Sequence, residues 1–544
     1  MGIPSYFSYI IKNYSNIIRN YHFLLKNGIT FQHLYMDCNS IIYDAFRSID
    51  LQLYSTIPEL EEQIVEMVIQ NIQKYIELIK PTKTVFIAFD GVAPFAKMEQ
   101  QRNRRYKNSH TPLSNTATEK STIGCEWSTS NITPGTNFMQ LLSTRVSRYF
   151  EYSEKRFNVE RMIVSTSNEC GEGEHKMFHY IRCQSIDPTD TAAVYGLDSD
   201  LIMLSIFHCR LFKNLYIFRE APEFIKSSIP IVETPSDKAQ NMPYFMDISV
   251  LSTSILSEMQ CGHPDKQRIY DYVFLCFFLG NDFLPHFPSL NIRTNGIQSL
   301  LEMYRKTVGN HVDRFFISKD TGKIQWRWVS LFIGELAKCE HDFLISEYSL
   351  REKWNKRTWL VGTPEEQDQT LQSVPVIYRA EEKYICPQER HWEERYYRAL
   401  FHCEYTDETR KMVSMNYLEG LEWVFKYYTV DCPHWQWKYN YHYPPLLKDL
   451  YTFIPHFDMT FIDSSDKNNR PFSSNTQLAY VLPKSHHYLL NKQVSQVLAT
   501  RFTHLYPDRF NFQWAFCRYF WEAHACLPVI SLELLRRWDT TFVI

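Results

Sequence analysis

Ala192-Ala193-Val194-Tyr195-Gly196-Leu197-Asp198-Ser199-Asp200-Leu201-Ile202-Met203-Leu204 is the stretch that decides the fold. Its opening apolar run, Ala192 to Leu197, has the length and composition of a buried strand, and the apolar residues after Asp200 resume as a helix. Two earlier runs end the same way. His33-Leu34-Tyr35-Met36 stops at Asp37, and Thr84 to Phe89 stops at Asp90. Such runs alternate with helical patterns, which predicts an α/β protein with a mostly parallel central sheet flanked by helices. The carboxyl ends of parallel strands share one edge, where ligands bind, so these distant Asp residues are expected to converge. Asp is also common in turns and at helix N-caps, but that ordinary use does not account well for the repetition.

Further acids extend the pattern. Gly171-Glu172-Gly173-Glu174-His175-Lys176 follows the strand Met162 to Ser165 and opens a helix, so Glu172 and Glu174 sit where glycines let backbone approach a ligand. Asp282, in Leu279-Gly280-Asn281-Asp282-Phe283-Leu284-Pro285, closes an apolar helix and needs a charged partner. Asp37, Asp90, Glu172, Glu174, Asp198, Asp200 and Asp282 on one edge would repel one another unless cations neutralised them. Oxygen ligands without clustered Cys or His favour Mg²⁺, with Mn²⁺ as a substitute. A pair of ions about 3.5–4 Å apart would suit phosphodiester hydrolysis. His175 and His179 lie one helical turn apart, and both are read as structural.

The second constellation is the basic run Pro94 to Lys107. Pro94 suits a first helical turn, and Lys97, Gln101, Arg104 and Arg105 share a helix face. That face is read as a phosphate cradle. It begins just after Asp90, so a terminal phosphate held there would bring the adjoining phosphodiester to the acids.

Composition sets the outer bounds. The 544 residues carry 58 Lys plus Arg against 61 Asp plus Glu, a net charge of −3, so a polyanion would need a local basic patch. The thirteen Cys contain no C-x-x-C pair, which excludes a zinc ribbon and predicts reduced thiols. Neither a secretion signal nor a lipid anchor is legible, and the apolar run Tyr272 to Leu279 is far short of the roughly 20 residues that cross a bilayer. A soluble cytoplasmic protein without membrane partners is expected, with a nuclear address left open.

These motifs carry a resemblance. Met1-Gly2-Ile3-Pro4, Asp90-Gly91-Val92-Ala93-Pro94 with the basic run, and Asn131-Ile132-Thr133-Pro134-Gly135-Thr136 resemble the Xrn-type 5′-to-3′ exoribonuclease family in order and spacing. The Gly171 to Lys176, Tyr195 to Leu204 and Gly280 to His286 motifs do so too. Leu418 to Val424, Trp435-Gln436-Trp437, Tyr441 to Pro445 and Trp521-Glu522-Ala523 resemble the family's second conserved region.

The resemblance implies a processive exoribonuclease of RNA decay acting on single-stranded RNA with a 5′-monophosphate by two-metal hydrolysis. The seven acids match its metal-site and catalytic residues, and Lys97, Gln101, Arg104 and Arg105 match its 5′-phosphate pocket. Tyr43, where the family has His, and Trp435 or Trp437 are implied to stack on the first base. Phe95 replaces a basic residue at the head of the basic helix, and Ser109 to Ser130 covers the family's tower. The implied organisation is a nuclease core over 1–350, an irregular linker over 351–384 and a mainly helical second region over 385–544 that encloses the active site. A minimal monomeric form without the long C-terminal extension is expected, with its protein partners unknown. Two other readings stay open: a 5′ flap-type DNA nuclease and an inactive RNA-binding scaffold.

Overall fold

The computed structural model describes residues 2–110, 127–196, 198–220, 243–357, 359–457 and 459–542. Most of the expected tower, within Ser109 to Ser130, lies outside them. The strands are β1 (Ile18–Asn20), β2 (His33–Asp37), β3 (Thr84–Ala88), β4 (Arg161–Ser165), β5 (Thr191–Tyr195), β6 (Asn214–Arg219) and β7 (Tyr244–Asp247). They form one sheet in the order β1-β7-β6-β5-β2-β3-β4. The run from β6 to β4 is parallel, and only β7 and the edge strand β1 pair antiparallel.

Register explains why the acids meet. Asp37 pairs with Ala88, two residues before Asp90, and Met36 pairs with Tyr195, three residues before Asp198. Adjacent strands lie about 4.8 Å apart, so the three strand ends deliver their carboxylates side by side.

The sheet is buried on both faces, as its apolar strands require. Helices α1 (Ile57–Ile79) and α3 (Asn137–Phe150) pack on one face with Leu34, Val85 and Ile87. The basic helix α2 (Phe95–His110) leaves the carboxyl edge just after Asp90. On the other face, α4 (Gly173–Cys183) and α5 (Ser199–His208) merge with the helical half of the chain into one continuous core. That half includes α6 (Trp326–Asn355), α7 (Pro364–Gln372), α8 (Val374–Ile377), α9 (Ala380–Ile385), α10 (Asp407–Thr429), α11 (Leu447–Phe453) and α12 (Ser474–Val481).

The stretch 351–384 is therefore not the irregular linker its charge suggests. Thr363 caps α7 by accepting from the Glu366 amide at 3.2 Å, and Glu366 accepts in return from Thr363. Arg351 and Glu382, both fully buried, form a bidentate pair at 2.6 and 2.9 Å that fastens α9 to α6. Polar residues here fold because they pair with one another. Among the described residues, no helix is long and apolar enough to cross a membrane.

Candidate active site

Each acid is delivered by a strand end or a helix start. Asp37 ends β2, Asp90 follows β3, Glu172 and Asp198 are the N-cap residues of α4 and α5, and Glu174 and Asp200 lie in the first turns of those helices. Asp282 follows the short apolar helices that end at Leu279. Gly173 is required at the centre: a Cβ there would stand 2.7 Å from Asp37 Oδ1. Gly2 likewise lets the amino-terminal segment close on Asp200, where a Cβ would come within 2.6 Å of Oδ1.

Burial and mutual repulsion oppose ionisation of several of these acids. Asp37 is pushed up to about 8, first by burial and then by Asp90, Asp198 and Glu172. Asp200 is likewise raised to about 8 by burial and then by Asp282 and Asp198, and Glu174 is raised by burial, Asp200 and Glu172. Asp90 is raised by burial and Glu172, although it accepts from the Gly173 amide at 2.7 Å and from Asn39 Nδ2 at 2.5 Å.

The positive charge at the centre is Lys97. Its ammonium donates to Asp282 Oδ2 at 2.8 Å and contacts Glu172 Oε2. Burial alone would lower the Lys97 pKa, but Asp282, Glu172, Glu174 and Asp200 together raise it. For Asp282, burial is outweighed chiefly by Lys97, so its carboxyl is held well below the usual range. The sequence assigns Lys97 to a phosphate cradle; in the fold its ammonium lies among the acids, at the end of the basic face nearest them.

The rest of the basic face behaves differently. Arg104 lies close enough to Asp282 to stabilise its charge. Arg105 donates to Thr133 Oγ1 at 2.6 Å, and burial, then Arg104, lower its pKa to about 10. Arg105 Nη1 and Gln101 Oε1 are buried without a hydrogen-bond partner among the described residues. A polar atom left so is costly unless a ligand satisfies it. Tyr43 is half-buried and neighbours Arg105.

The two Trp candidates are placed unequally. Trp437 stacks on Trp423 at 5.4 Å and donates to Glu419 at 3.2 Å, so one ring face and its N–H are occupied. Trp423 continues the stack through Tyr427 to His175. Trp435 instead brings its ring edge within 3.9 Å of where a Cβ on Gly171 would stand, beside the Glu172 loop. His175 also pairs with Asp431 at 2.9 Å, in keeping with a structural role.

Three further groups hold the acids in place, and only one of them lies in a motif quoted above. Tyr427 donates to Glu172 Oε1 at 2.7 Å and Tyr428 to Asp200 Oδ1, so two consecutive residues of α10 hold acids from α4 and α5. Lys176, buried beneath the acids, donates to the carbonyls of Phe89 and Thr166 at 2.8 and 2.7 Å. A lysine inside a recognisable motif was visible; a tyrosine pair in an aromatic-rich helix was not.

As the side chains stand, no three His, Cys, Asp or Glu among the described residues are grouped closely enough to hold a metal ion. The donor chemistry nonetheless fits a hard divalent cation: all the candidate donors are oxygens, and Asp37 Oδ1 is buried with no hydrogen-bond partner among the described residues.

A family model described as the XRN 5′-3′ exonuclease N-terminus matches residues 1–221, and one described as the Xrn1 helical domain matches 264–384 and 385–539. A 5′-3′ exoribonuclease 2 homolog of Drosophila melanogaster is 26% identical over 98% of this chain and 70% of its own length. The 5′-3′ exoribonuclease 2 of Arabidopsis thaliana is 25% identical over 98% and 66%. The 5′-3′ exoribonuclease 1 of Schizosaccharomyces pombe is 25% identical over 98% of this chain and 48% of its own length.

Proposed function

The chain belongs to the XRN 5′-3′ exonuclease family, and from that premise we propose how it works as a 5′-to-3′ exoribonuclease, a hydrolase of RNA turnover. Its substrate is single-stranded RNA with a 5′-monophosphate, which it shortens processively. The observation that carries this reading is the junction at Arg104: on the basic face of α2, it lines one cleft together with Asp282 of the acid cluster. A phosphate held by Gln101, Arg104 and Arg105 has its neighbouring phosphodiester directed toward the acids. Directionality follows, because only a strand end can place a phosphate there. A cap or triphosphate would exceed the partners available.

Tyr43 holds the first base by stacking, opposed by Trp435, whose ring lies beside the Gly171–Glu172 loop. Asp37, Asp90, Glu172, Glu174, Asp198, Asp200 and Asp282 would hold two Mg²⁺ ions, with Mn²⁺ able to substitute. When bound, these ions supply a nucleophilic water and charge neutralisation at the leaving oxygen. Lys97 holds Glu172 and Asp282 and limits their repulsion. Tyr427 and Tyr428 fix the orientation of Glu172 and Asp200. We propose that the enzyme acts as a monomer.

The test is Mg²⁺-dependent degradation of 3′-labelled single strands bearing 5′-monophosphate, 5′-hydroxyl or 5′-triphosphate, with matched DNA and DNA flaps. Only the monophosphate RNA is expected to disappear without an endonucleolytic ladder. Asp200→Ala should abolish turnover while RNA binding persists, and Arg104→Ala should erase the preference for monophosphate over hydroxyl. Cleavage of DNA flaps, or near-normal turnover by Asp200→Ala, would overturn the reading.

A further inference from the structure

Helix α4 (Gly173–Cys183) serves the acid cluster at its start and carries a different set of side chains at its end. His175, His179 and Cys183 follow at intervals of four, so they share one face of the helix. His175 is buried and stacked on Tyr427, whereas His179 and Cys183 are exposed. Cys183 stands about 14 Å along the helix from Glu174, which keeps the two ends apart.

The exposed pair has the spacing of two ligands on one metal ion. His179 Nε2 lies 3.6 Å from Cys183 Sγ. With zinc–sulfur and zinc–nitrogen bonds of about 2.3 and 2.0 Å at a tetrahedral angle, two such ligands stand about 3.5 Å apart. The other ring nitrogen, Nδ1, faces Asp431 Oδ2 at 3.6 Å. Metal-bound histidines commonly turn their second nitrogen to a carboxylate, which fixes the ring and raises its basicity. Asp431 is itself held for that task. Its Oδ1 accepts from the Cys432 amide at 2.7 Å and pairs with His175 Nε2 at 2.9 Å. Burial would raise the Asp431 pKa, but those hydrogen bonds lower it to about 2, so the carboxylate is charged at neutral pH. Arg182, the neighbouring cation, is turned inward, with Nη1 3.3 Å from His208 Nε2 and with Nε and Nη2 buried.

We propose that His179 and Cys183 form a binding site for Zn²⁺, oriented by Asp431 and completed by water, distinct from the acids at the head of α4. Thiolate and imidazole select a borderline-soft ion, while the all-oxygen acids suit Mg²⁺, so the two ends of one helix sort metals by ligand chemistry. Two side-chain ligands leave the remaining positions to solvent, which makes the bound ion exchangeable. The Cys183 thiol proton leaves to solvent as the ion binds.

The test uses Co²⁺ as the probe, because a thiolate bound to it gives a charge-transfer band in the near ultraviolet that oxygen ligands do not give. The full chain, reduced, is titrated with Co²⁺ in excess Mg²⁺, which keeps carboxylate sites occupied and does not absorb. The expected result is a saturable band that Zn²⁺ displaces. Cys183→Ser should abolish it. Asp431→Asn removes the charge behind the ring and should weaken Co²⁺ binding about 10–100-fold, and His179→Gln, which removes a ligand, should weaken it at least as much. All three positions are exposed, and thermal unfolding of each variant without metal confirms the fold. Absence of the band in the wild type, or a band of unchanged affinity in any of the three variants, overturns the proposal. RNA hydrolysis enters no arm of this experiment, so its outcome is independent of the exoribonuclease reading.

Discussion

Tyr428 shows how much a single hydroxyl contributes at this site. Asp200 is raised to about 8 by burial and then by Asp282 and Asp198, and the Tyr428 hydroxyl fixes one of its oxygens. Partners of this kind tune metal affinity about 10–100-fold in known sites. Tyr428→Phe removes the donor and keeps the ring, so it should raise the Mg²⁺ concentration for half-maximal activity by about that factor. Metal-dependent thermal stabilisation should shift in parallel. Unchanged Mg²⁺ dependence in both measurements would show that the hydroxyl does not position Asp200. Tyr427→Phe is expected to act likewise through Glu172.

Phe95 illustrates the opposite case, a sequence departure whose meaning is packing. In place of a basic residue, its ring is buried against Phe472 and Tyr480. Lys438 lies 5.4 Å from the ring centre and pairs with Glu99. A cation thus stands beside position 95 but comes from another segment, which the basic helix by itself does not encode.

Among the elements, the contact between α6 and α11 has a built-in pH dependence. Glu340 on α6 accepts from the amides of Leu447 and Lys448 at 2.8 and 3.4 Å, and burial pushes its carboxyl up to about 8 despite those donors. In the unfolded chain a Glu titrates near 4.3. Between these values the folded protein binds the extra proton, so this group's contribution to stability is fully present below about pH 4 and is lost as pH rises toward 8. Glu340→Gln should flatten that part of the stability profile, measured by urea unfolding at pH 5, 6.5 and 8. An unaltered slope would remove Glu340 as its source.

The helices within 351–384 form from local capping and from buried charge pairs. Thr363-Pro364-Glu365-Glu366 is a capping sequence followed by a helix with no buried residue, so its start was legible although no apolar stripe marked its body. The buried charges of α6 and α9 gave no such sign, because a charged residue reads as exposed until its partner is known.

For the whole molecule, Glu382 is a point where distant segments meet. It accepts from Arg351, from Arg379 Nε at 2.5 Å and from the Phe516 amide at 2.8 Å, while Arg351 also donates to the Cys517 carbonyl at 2.8 Å. Glu382→Gln leaves the buried Arg351 guanidinium without its paired carboxylate and Arg379 with Glu352 alone, and breaking such a buried pair costs about 3–5 kcal/mol. Chemical denaturation should show that loss in the full chain. A loss below about 1 kcal/mol would mean the cluster relaxes into solvent.

The helical half completes the nuclease half in the same manner. The Ala93 amide donates to Gln477 Oε1 and the Phe95 amide to the Trp435 carbonyl, each at 2.8 Å, so the start of α2 is fixed by residues more than three hundred positions away. What the sequence by itself determined was the α/β class, the strand ends and the identity of the acids, because strand period, turn chemistry and a carboxylate's position after a strand are local properties. Tertiary structure alone decided that Lys97 sits among the acids, that Tyr427 and Tyr428 hold them, and that Trp437 stacks on Trp423. The Lys97–Asp282 contact and the two tyrosine–acid contacts span 185 to 255 positions, and no local pattern encodes which buried partner a charge or a ring will meet.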